Sequence, residues 1–207
     1  MPYKHQIEVA KAANELRRAG CPIRVRFVGA DWGAYGQLFR KLLRQLDPQE
    51  EFLIWPGSMP FSTLHSEYLA ADAFLFASSC ENLPNILIEA MAAGLPIACS
   101  NRGPMPEVLD DAGIYFDPLS ASEIAEAMRR LFDHADLRVR VAAQAKPRGC
   151  SASTRWCGRR CTPEQRCGQK AEHQHPQGQH AHGLAPRHGA DGHGHQQGHQ
   201  QSTSPHA

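Results

Sequence analysis

Short apolar runs alternate with longer amphipathic segments along the first 146 residues of the chain. The longer segments repeat apolar residues at helical spacing, as Val9, Ala12, Ala13 and Leu16 do. The short runs end at glycine, proline or serine, which is typical of strands. Strands that alternate with helices predict a parallel, doubly wound α/β sheet of the Rossmann type.

The pattern also predicts where each element lies. We expect helices over residues 7–19, 35–46, 62–71, 85–93, a segment that follows a Ser120–Glu123 capping box, and a last helix from 136; strands are expected over 23–28, 52–55, 73–77, 97–100 and 114–116. The run 73–77 is apolar throughout, so it is predicted to be a buried central strand. In helix 62–71, Leu64, Tyr68 and Leu69 are expected to point inward. Parallel sheets bind ligands beyond the carboxyl ends of their strands, and the loops after Val28, Ala77 and Ser100 are therefore candidates for a site.

The composition changes sharply at Pro147. Between Pro147 and Ala207, Trp156 and Leu184 are the only large apolar residues, and nine of the twelve histidines lie there. So little apolar surface cannot offset an ordering cost of about 1–2 kcal/mol per residue. We therefore expect one domain over residues 1–146, a helix that stops at Pro147, and a disordered tail rich in His, Gln, Gly and Pro over residues 147–207.

Two interpretations of this tail remain open. It is either a metal-binding appendage, with ligand pairs at His173/His175, His180/His182 and His193/His195, or the product of translation in a shifted frame. A shifted frame accounts for the abrupt loss of the hydrophobic pattern. Translating the DNA after Lys146 in the other frames distinguishes the two, because only a frame shift restores an amphipathic helix there.

Charge and cysteine usage exclude several classes of protein. A net charge of +1 does not predict a nucleic-acid partner. No apolar run reaches the roughly 18 residues of a membrane span, and the N-terminus lacks the apolar stretch of a signal peptide. Cys21, Cys80 and Cys99 lie in apolar contexts and are interpreted as small buried thiols of a reducing, cytoplasmic compartment. The later cysteines have no paired C-x-x-C spacing, so no zinc site is predicted.

The loop after Ala77 leads into a predicted helix with one acidic residue, Glu89, among apolar neighbours. A helix that is apolar on all sides is expected to be buried. An ionised carboxylate is costly there unless hydrogen bonds satisfy it. Glu89 is therefore either a ligand-binding group, or a structural group in a salt bridge or near a solvent-exposed helix end.

The segment CENLPNILIEAMAAGLPIACS resembles the E-x7-E signature of the group 1 glycosyltransferases, a retaining family with the GT-B fold. Glu81 and Glu89 are separated by seven residues, as the signature requires. Pro84, the Gly94-x-Pro96 step and the preceding run LAADAFLFASS match as well. The resemblance extends over about residues 1–146 and implies the C-terminal, donor-binding half of a GT-B enzyme.

The resemblance implies roles for three charged residues. Glu89 would accept hydrogen bonds from the ribose hydroxyls of the donor nucleotide, and Glu81 would lie near the transferred sugar. The segment PYKHQIEVAKAANEL resembles the family stretch whose lysine faces the donor diphosphate, which would be Lys4. By residue type alone, Lys4 would be an ordinary surface lysine.

The resemblance also implies roles for backbone groups. The amides around Asn82, Leu83, Pro84 and Asn85 would meet the diphosphate or sugar at the start of a helix, where free N–H groups attract anions. Gly29 lies in a glycine-rich loop that resembles the family's, and is either close to the donor or part of a plain tight turn. The same alternatives apply to Gly103.

The reaction implied is transfer of a sugar from a nucleoside diphosphate sugar with retention of configuration, with no metal and no cofactor besides the donor. No D-x-D pair of carboxylates occurs in the sequence. The resemblance implies that the acceptor-binding domain and an arginine just upstream of Lys4 are absent, so we expect an inactive fragment truncated at both ends. The alternatives are a non-catalytic nucleotide-binding or interaction module, and a relative of the GT-B nucleotide-sugar epimerases.

Overall fold

A computed structural model describes residues 1–30 and 33–157 of the protein, with side chains to residue 151. Within these ranges the helices are α1 (Gln6–Arg18), α2 (Gly33–Leu46), α3 (Phe61–Ala70), α4 (Asn85–Ala93), α5 (Met105–Leu109), α6 (Ala121–Asp133) and α7 (Ala135–Cys157), and the strands are β1 (Val25–Val28), β2 (Leu53–Gly57), β3 (Phe74–Phe76), β4 (Ile97–Ser100) and β5 (Ile114–Phe116). Every predicted helix and strand is present. A 3-10 turn at Pro2–Lys4 and the short helix α5 were not predicted.

The strands form two parallel sheets within the described residues. β1 pairs with β2, and β4 lies between β3 and β5. The predicted parallel, Rossmann-like α/β arrangement is confirmed. The prediction that residues 73–77 form a central strand is wrong here, because β3 is an edge of its sheet and Phe74 and Leu75 are only half-buried. Apolarity alone did not distinguish β3 from β4, which is the fully buried strand.

Helix α1 packs against both sheets. Its residues Val9, Ala12 and Leu16 belong to a core cluster with residues of the β3–β5 sheet, and half-buried side chains of β1 pack against the same cluster. Ala10 and Ala13, on a neighbouring face of α1, pack with side chains of α2 and β2. The amphipathic pattern of this segment thus gives a helix that is buried on two sides.

Local sequence signals account for several helix ends. Ser120 Oγ accepts a hydrogen bond from the Glu123 amide at 3.2 Å, which confirms the predicted cap of α6. The Glu123 carboxylate bonds the Asp117 amide at 2.9 Å. Gly94 ends α4 in the left-handed conformation, with φ of 79°, which favours glycine. In α3 the prediction for Leu69 is wrong, since its side chain is 66% exposed.

Helix α7 continues past Pro147, so the prediction that it stops there is wrong. Beyond the proline, Arg148 pairs with Asp111 at 2.7 Å and donates to the Leu109 carbonyl at 2.9 Å. Gly149 is buried against α4. We attribute the tolerance of a proline, which costs about 3 kcal/mol inside a helix, to these contacts. Residues 158–207 lie outside the described residues. They include most of the predicted disordered tail, which we interpreted either as a metal-binding appendage or as the product of a shifted frame.

Gly149→Ala should destabilise the domain, although alanine favours a helix. A Cβ at this position would lie 2.4 Å from the Ala92 amide nitrogen and 2.7 Å from Met91 Cβ. Overpacking of this kind costs about 1–3 kcal/mol. Urea unfolding of the full chain measures the change. Ala143→Gly at an exposed position of the same helix gives the propensity effect alone, about 1 kcal/mol. A Gly149→Ala chain as stable as wild type would mean that α7 does not pack on α4 beyond Pro147.

Asp47 connects the end of α2 to the start of β2 and should make stability depend on pH. Its carboxylate accepts from the amides of Glu51, Phe52 and Leu53 at 3.0, 2.7 and 2.8 Å. Burial opposes ionisation, but the three N–H donors outweigh it and hold the pKa of Asp47 below its usual value. The stabilisation is therefore complete above the unfolded-state pKa of about 3.9 and is lost as pH falls through the lower folded-state pKa.

Asp47→Asn should lower the free energy of unfolding at pH 7 by about 1–3 kcal/mol, because an amide group cannot accept all three bonds. The difference from wild type should shrink as pH falls below about 4, because the Asp47 carboxyl is then protonated in the unfolded state before it is protonated in the folded state. Urea unfolding between pH 3 and 7 measures both quantities. The exposed Asp133→Asn is the matched control and should change little. A pH-independent difference at Asp47 would contradict this account.

Candidate functional site

The N-terminal segment lies beside the loop that follows β3. The Ser79 amide donates to the Tyr3 carbonyl at 2.9 Å. The buried His5 ring has Nε2 2.8 Å from Ser79 Oγ. His5 directly precedes the first residue of α1 and has a left-handed backbone, with φ of 48°, which non-glycine residues seldom adopt. These contacts hold the residues before α1 at the carboxyl edge of the β3–β5 sheet.

Lys4 and Glu81 form an ion pair at this edge. Lys4 Nζ donates to Glu81 Oε1, and the two side chains are 25% and 16% exposed. The ammonium also lies 5.3 Å from the Tyr3 ring centroid and 5.5 Å from that of Phe76. An ammonium near two aromatic rings and one carboxylate is held more firmly than a solvated surface lysine. Two of the predicted site residues, 77 positions apart in sequence, are thus in direct contact.

Glu89 lies on α4 and accepts a hydrogen bond from the Tyr68 hydroxyl of α3 at 2.9 Å. Burial and the neighbouring carboxylate raise the pKa of Tyr68, so the phenol stays protonated and donates. The prediction that α4 is buried on all sides is wrong, because Ile86 is 46% exposed and Asn85 is exposed. Glu89 is only partly buried and shares the Asn85 face, since residues four apart in a helix are neighbours.

The start of α4 is built by Pro84, which is fully buried and precedes the first helical residue. Asn82 and Asn85 are exposed and Leu83 is half-buried. The Asn85 amide, which was expected to meet the ligand, donates to the Leu83 carbonyl at 2.9 Å. The first helical bond runs from the Ile88 amide to Pro84 O at 3.1 Å, and none of the described side chains caps the helix. The backbone amides of Ile86 and Leu87, between Asn85 and Ile88, are therefore the ones suited to an anion.

Gly29 directly follows β1, and its hydrogen bonds run to β2. Its amide donates to the Gly57 carbonyl at 3.1 Å, and its carbonyl accepts from Trp55 Nε1 at 2.9 Å. Its φ of 146° explains why glycine occupies this turn. Gly103 has φ of 59°, and a Cβ there would lie 3.6 Å from Ser79 O. Gly103 thus brings the loop after β4 close to the loop after β3, whereas the bonds described for Gly29 join it to the other sheet.

A second ion pair lies where β4 and β5 end. Arg102 donates to Asp117 at 2.7 Å. The Leu119 amide and then the Arg102 guanidinium lower the pKa of the Asp117 carboxyl. The sequence patterns did not identify this pair, nor the contacts of His5, Ser79 and Tyr68. For Tyr68 the helical spacing predicted an inward position, but nothing in the sequence indicated its partner.

The described side chains, those of residues 1–30 and 33–151, include no group of three or more His, Cys, Asp or Glu placed to hold a metal ion. In the same ranges, no helix has the length and apolarity needed to cross a bilayer.

Comparison with known proteins gives a consistent result. A family model described as glycosyl transferases group 1 matches residues 1–148. The O-antigen chain mannosyltransferase B of Escherichia coli is 34% identical over 102 residues, which are 47% of this chain and 27% of that protein. The chain spans about a quarter of the length of the first curated relatives that it matches.

Solved structures show the same fold. The C-terminal domain of a group 1 glycosyltransferase, LpcC from Francisella tularensis, superposes with a TM-score of 0.65 at 20% identity, over 74% of this chain and 81% of that one. HepE from Anabaena, crystallised with UDP-glucose, gives a TM-score of 0.64 at 18% identity, over 73% of this chain and 42% of that one. The fold is therefore the Rossmann-like α/β fold of a GT-B domain.

Proposed function

Since this chain belongs to the group 1 glycosyltransferase family, we propose that it binds a nucleoside diphosphate sugar at the edge where β3 ends. One observation carries the proposal: Lys4 and Glu81 are paired at the loop that leads into α4, and α4 carries Glu89 on its partly exposed face. Both carboxylates thus belong to one strand–loop–helix unit, and the cation is paired with the carboxylate in its loop. For the enzyme of which this domain is half, we propose transfer of the sugar with retention of configuration, because the E-x7-E pattern resembles that of retaining transferases.

Glu89 is the group that we assign to the ribose. A carboxylate has about four lone-pair positions, and Tyr68 uses one of them. The positions that remain suit the two vicinal hydroxyls of a ribose, which are both donors. Charge-assisted bonds of this kind are about twice as strong as neutral ones.

Lys4 is the group that we assign to the diphosphate, and Glu81 to the transferred sugar. An ammonium has three N–H donors, so Lys4 can keep its bond to Glu81 and still donate to a phosphate oxygen. The unpaired amides at the start of α4 would face the same anion. As the sugar–phosphate bond breaks, charge that is already in place stabilises the leaving diphosphate without reorganisation. Glu81 would accept hydrogen bonds from sugar hydroxyls. We propose that the site needs no metal or other cofactor.

The relatives support a nucleotide sugar as donor but leave its identity open. HepE was crystallised in complex with UDP-glucose, and the Escherichia coli relative is named a mannosyltransferase. Assignment to the cytoplasm is likewise a proposal, supported by the free thiols of Cys21, Cys80 and Cys99. The prediction that all three thiols are buried is wrong, because only Cys99 is buried, whereas Cys21 is half-buried and Cys80 is exposed. Fractionation of cells that express the chain tests the location.

Glu89→Ala should weaken binding of the preferred nucleotide by about 1.5–3 kcal/mol, the scale of hydrogen bonds to a charged group. Calorimetric titration of UDP, GDP and ADP into the full chain identifies that nucleotide and measures the loss. Glu126→Ala removes an exposed carboxylate from α6 and is the matched control. Equal affinity in the wild-type and Glu89→Ala chains would remove Glu89 from the site.

The 207-residue chain on its own should bind a nucleotide but not transfer sugar. Aligning an acceptor hydroxyl with the donor is worth about 7–11 kcal/mol of the barrier. In a GT-B enzyme the other domain contributes to that alignment. A transfer assay with donor sugars matched to the preferred nucleotide tests this, and turnover by the isolated chain would overturn it. Joined to an acceptor domain, Glu81→Ala should lower kcat more than donor affinity. Binding without transfer in the joined protein would instead favour a non-catalytic nucleotide-binding module.

A further inference from the structure

Tyr68 connects α3 to the carboxylate of Glu89. The two residues lie on different helices, and their hydroxyl and carboxylate oxygens are 2.9 Å apart. The Tyr68 ring packs against Phe74 of β3, with centroids 6.0 Å apart and planes inclined by 57°. No residue of α3 is fully buried. Tyr68 is thus fixed by its ring against the sheet, and its hydroxyl points to one group of α4.

The direction of this hydrogen bond is settled by the chemistry of the two groups. Burial and the charge of Glu89 keep the phenol protonated, and an ionised carboxylate only accepts. The bond ends on Oε2 of Glu89, so among the described residues Oε1 keeps both of its lone pairs. A rigid donor on one oxygen restricts rotation of the carboxylate about its terminal bond, a torsion that is otherwise broad.

We propose that Tyr68 is a positioning residue, which holds the Glu89 carboxylate in the single orientation that accepts both ribose hydroxyls of the donor nucleotide. This inference rests on the proposed function, because it takes Glu89 as the ribose acceptor. Without the Tyr68 hydroxyl, the carboxylate remains on α4 and keeps its charge but samples several orientations. Affinity falls for nucleotides that carry both hydroxyls, while nucleotides that lack them are affected little.

The variant that isolates the hydroxyl is Tyr68→Phe, which retains the ring and its packing on Phe74. Tyr115→Phe is the matched control, because the Tyr115 hydroxyl also donates a hydrogen bond. That bond runs to the Asp110 carbonyl at 2.6 Å and involves neither Glu89 nor Tyr68. Glu89→Gln provides the reference for loss of the charged acceptor. Thermal unfolding of each variant shows that the chain is folded before binding is measured.

The measurement is calorimetric affinity for the preferred nucleoside diphosphate and for its 2′,3′-dideoxy analogue. The ratio of the two affinities reports ribose recognition within one variant and is insensitive to a general loss of stability. Tyr68→Phe should lower this ratio by about fivefold to tenfold, the effect of one hydrogen bond. In the Glu89→Gln chain, a further Tyr68→Phe change should leave the ratio unaltered. Tyr115→Phe should retain the wild-type ratio.

The outcomes separate this inference from the function on which it rests. If Glu89→Gln loses the ribose preference and Tyr68→Phe keeps it, the positioning role is overturned and the proposed function stands. If Glu89→Gln keeps the preference, the ribose assignment fails, and the inference fails with it. A wild-type chain that binds none of the three nucleotides overturns both. An equal loss of the ratio in Tyr115→Phe would show a general effect of removing a hydroxyl and would also overturn the role of Tyr68.

Discussion

The packing of α1 across both sheets is the constraint on which the rest of the domain depends. Within the described residues no ladder of hydrogen bonds joins β1–β2 to β3–β5, so hydrophobic contact is what connects them. Leu16 reaches the cluster of the larger sheet, while Ala10 and Ala13 pack with α2 and β2. Alanine is short enough for the helix to approach closely, and burial of apolar surface stabilises by about 25 cal/mol per Å². The position of α1 then fixes the residues that precede it.

Those residues take part in the site because α1 begins at an unusual backbone position. The left-handed conformation of His5 turns the chain sharply between the 3-10 turn and the helix. The His5 contact with Ser79 and the bond from the Ser79 amide to Tyr3 secure the turn against the loop after β3. Lys4 lies between these two anchors, and its ammonium is directed to Glu81. A backbone conformation that costs energy is thus stabilised by contacts at the same edge that holds the proposed donor.

Much of the fold follows from local signals in the sequence, whereas the contacts of the site do not. Helical spacing and the Gly94 stop gave the bounds of α4 correctly. The Ser120 half of the predicted capping box formed, whereas the Glu123 carboxylate accepts from the Asp117 amide and not from the Ser120 amide. Such signals act within a few residues, so one sequence suffices to detect them. The Lys4–Glu81 pair joins residues far apart in the chain, and only a family resemblance suggested that they share a site. The Tyr68–Glu89 bond had no signal, because a tyrosine on a helical stripe is typical of a core position.

The prediction that α7 stops at Pro147 is wrong for a related reason. It rested on the hydrogen bond that a proline removes from a helix and took no account of the tertiary contacts made by the residues that follow. Arg148 reaches the acidic residues after α5, and Gly149 allows α7 to lie directly against the backbone of α4. A larger residue at 149 would push the two helices apart.

The close approach of α7 has a consequence for the site. Leu87, Ala90 and Met91 of α4 are fully buried in the cluster that includes Ala145 of α7. This side of α4 therefore contributes to the hydrophobic core and to the stability of the domain. Glu89 projects from the partly exposed side, where Tyr68 is its hydrogen-bond partner. Because one side of α4 packs in the core and the other is partly exposed, the Glu89 carboxylate can be held in place for a ligand without lying in the apolar interior. The free-energy cost of burying a charge is avoided. Because the other side of α4 packs in the core, the helix backbone that carries Glu89 is still held in a fixed position.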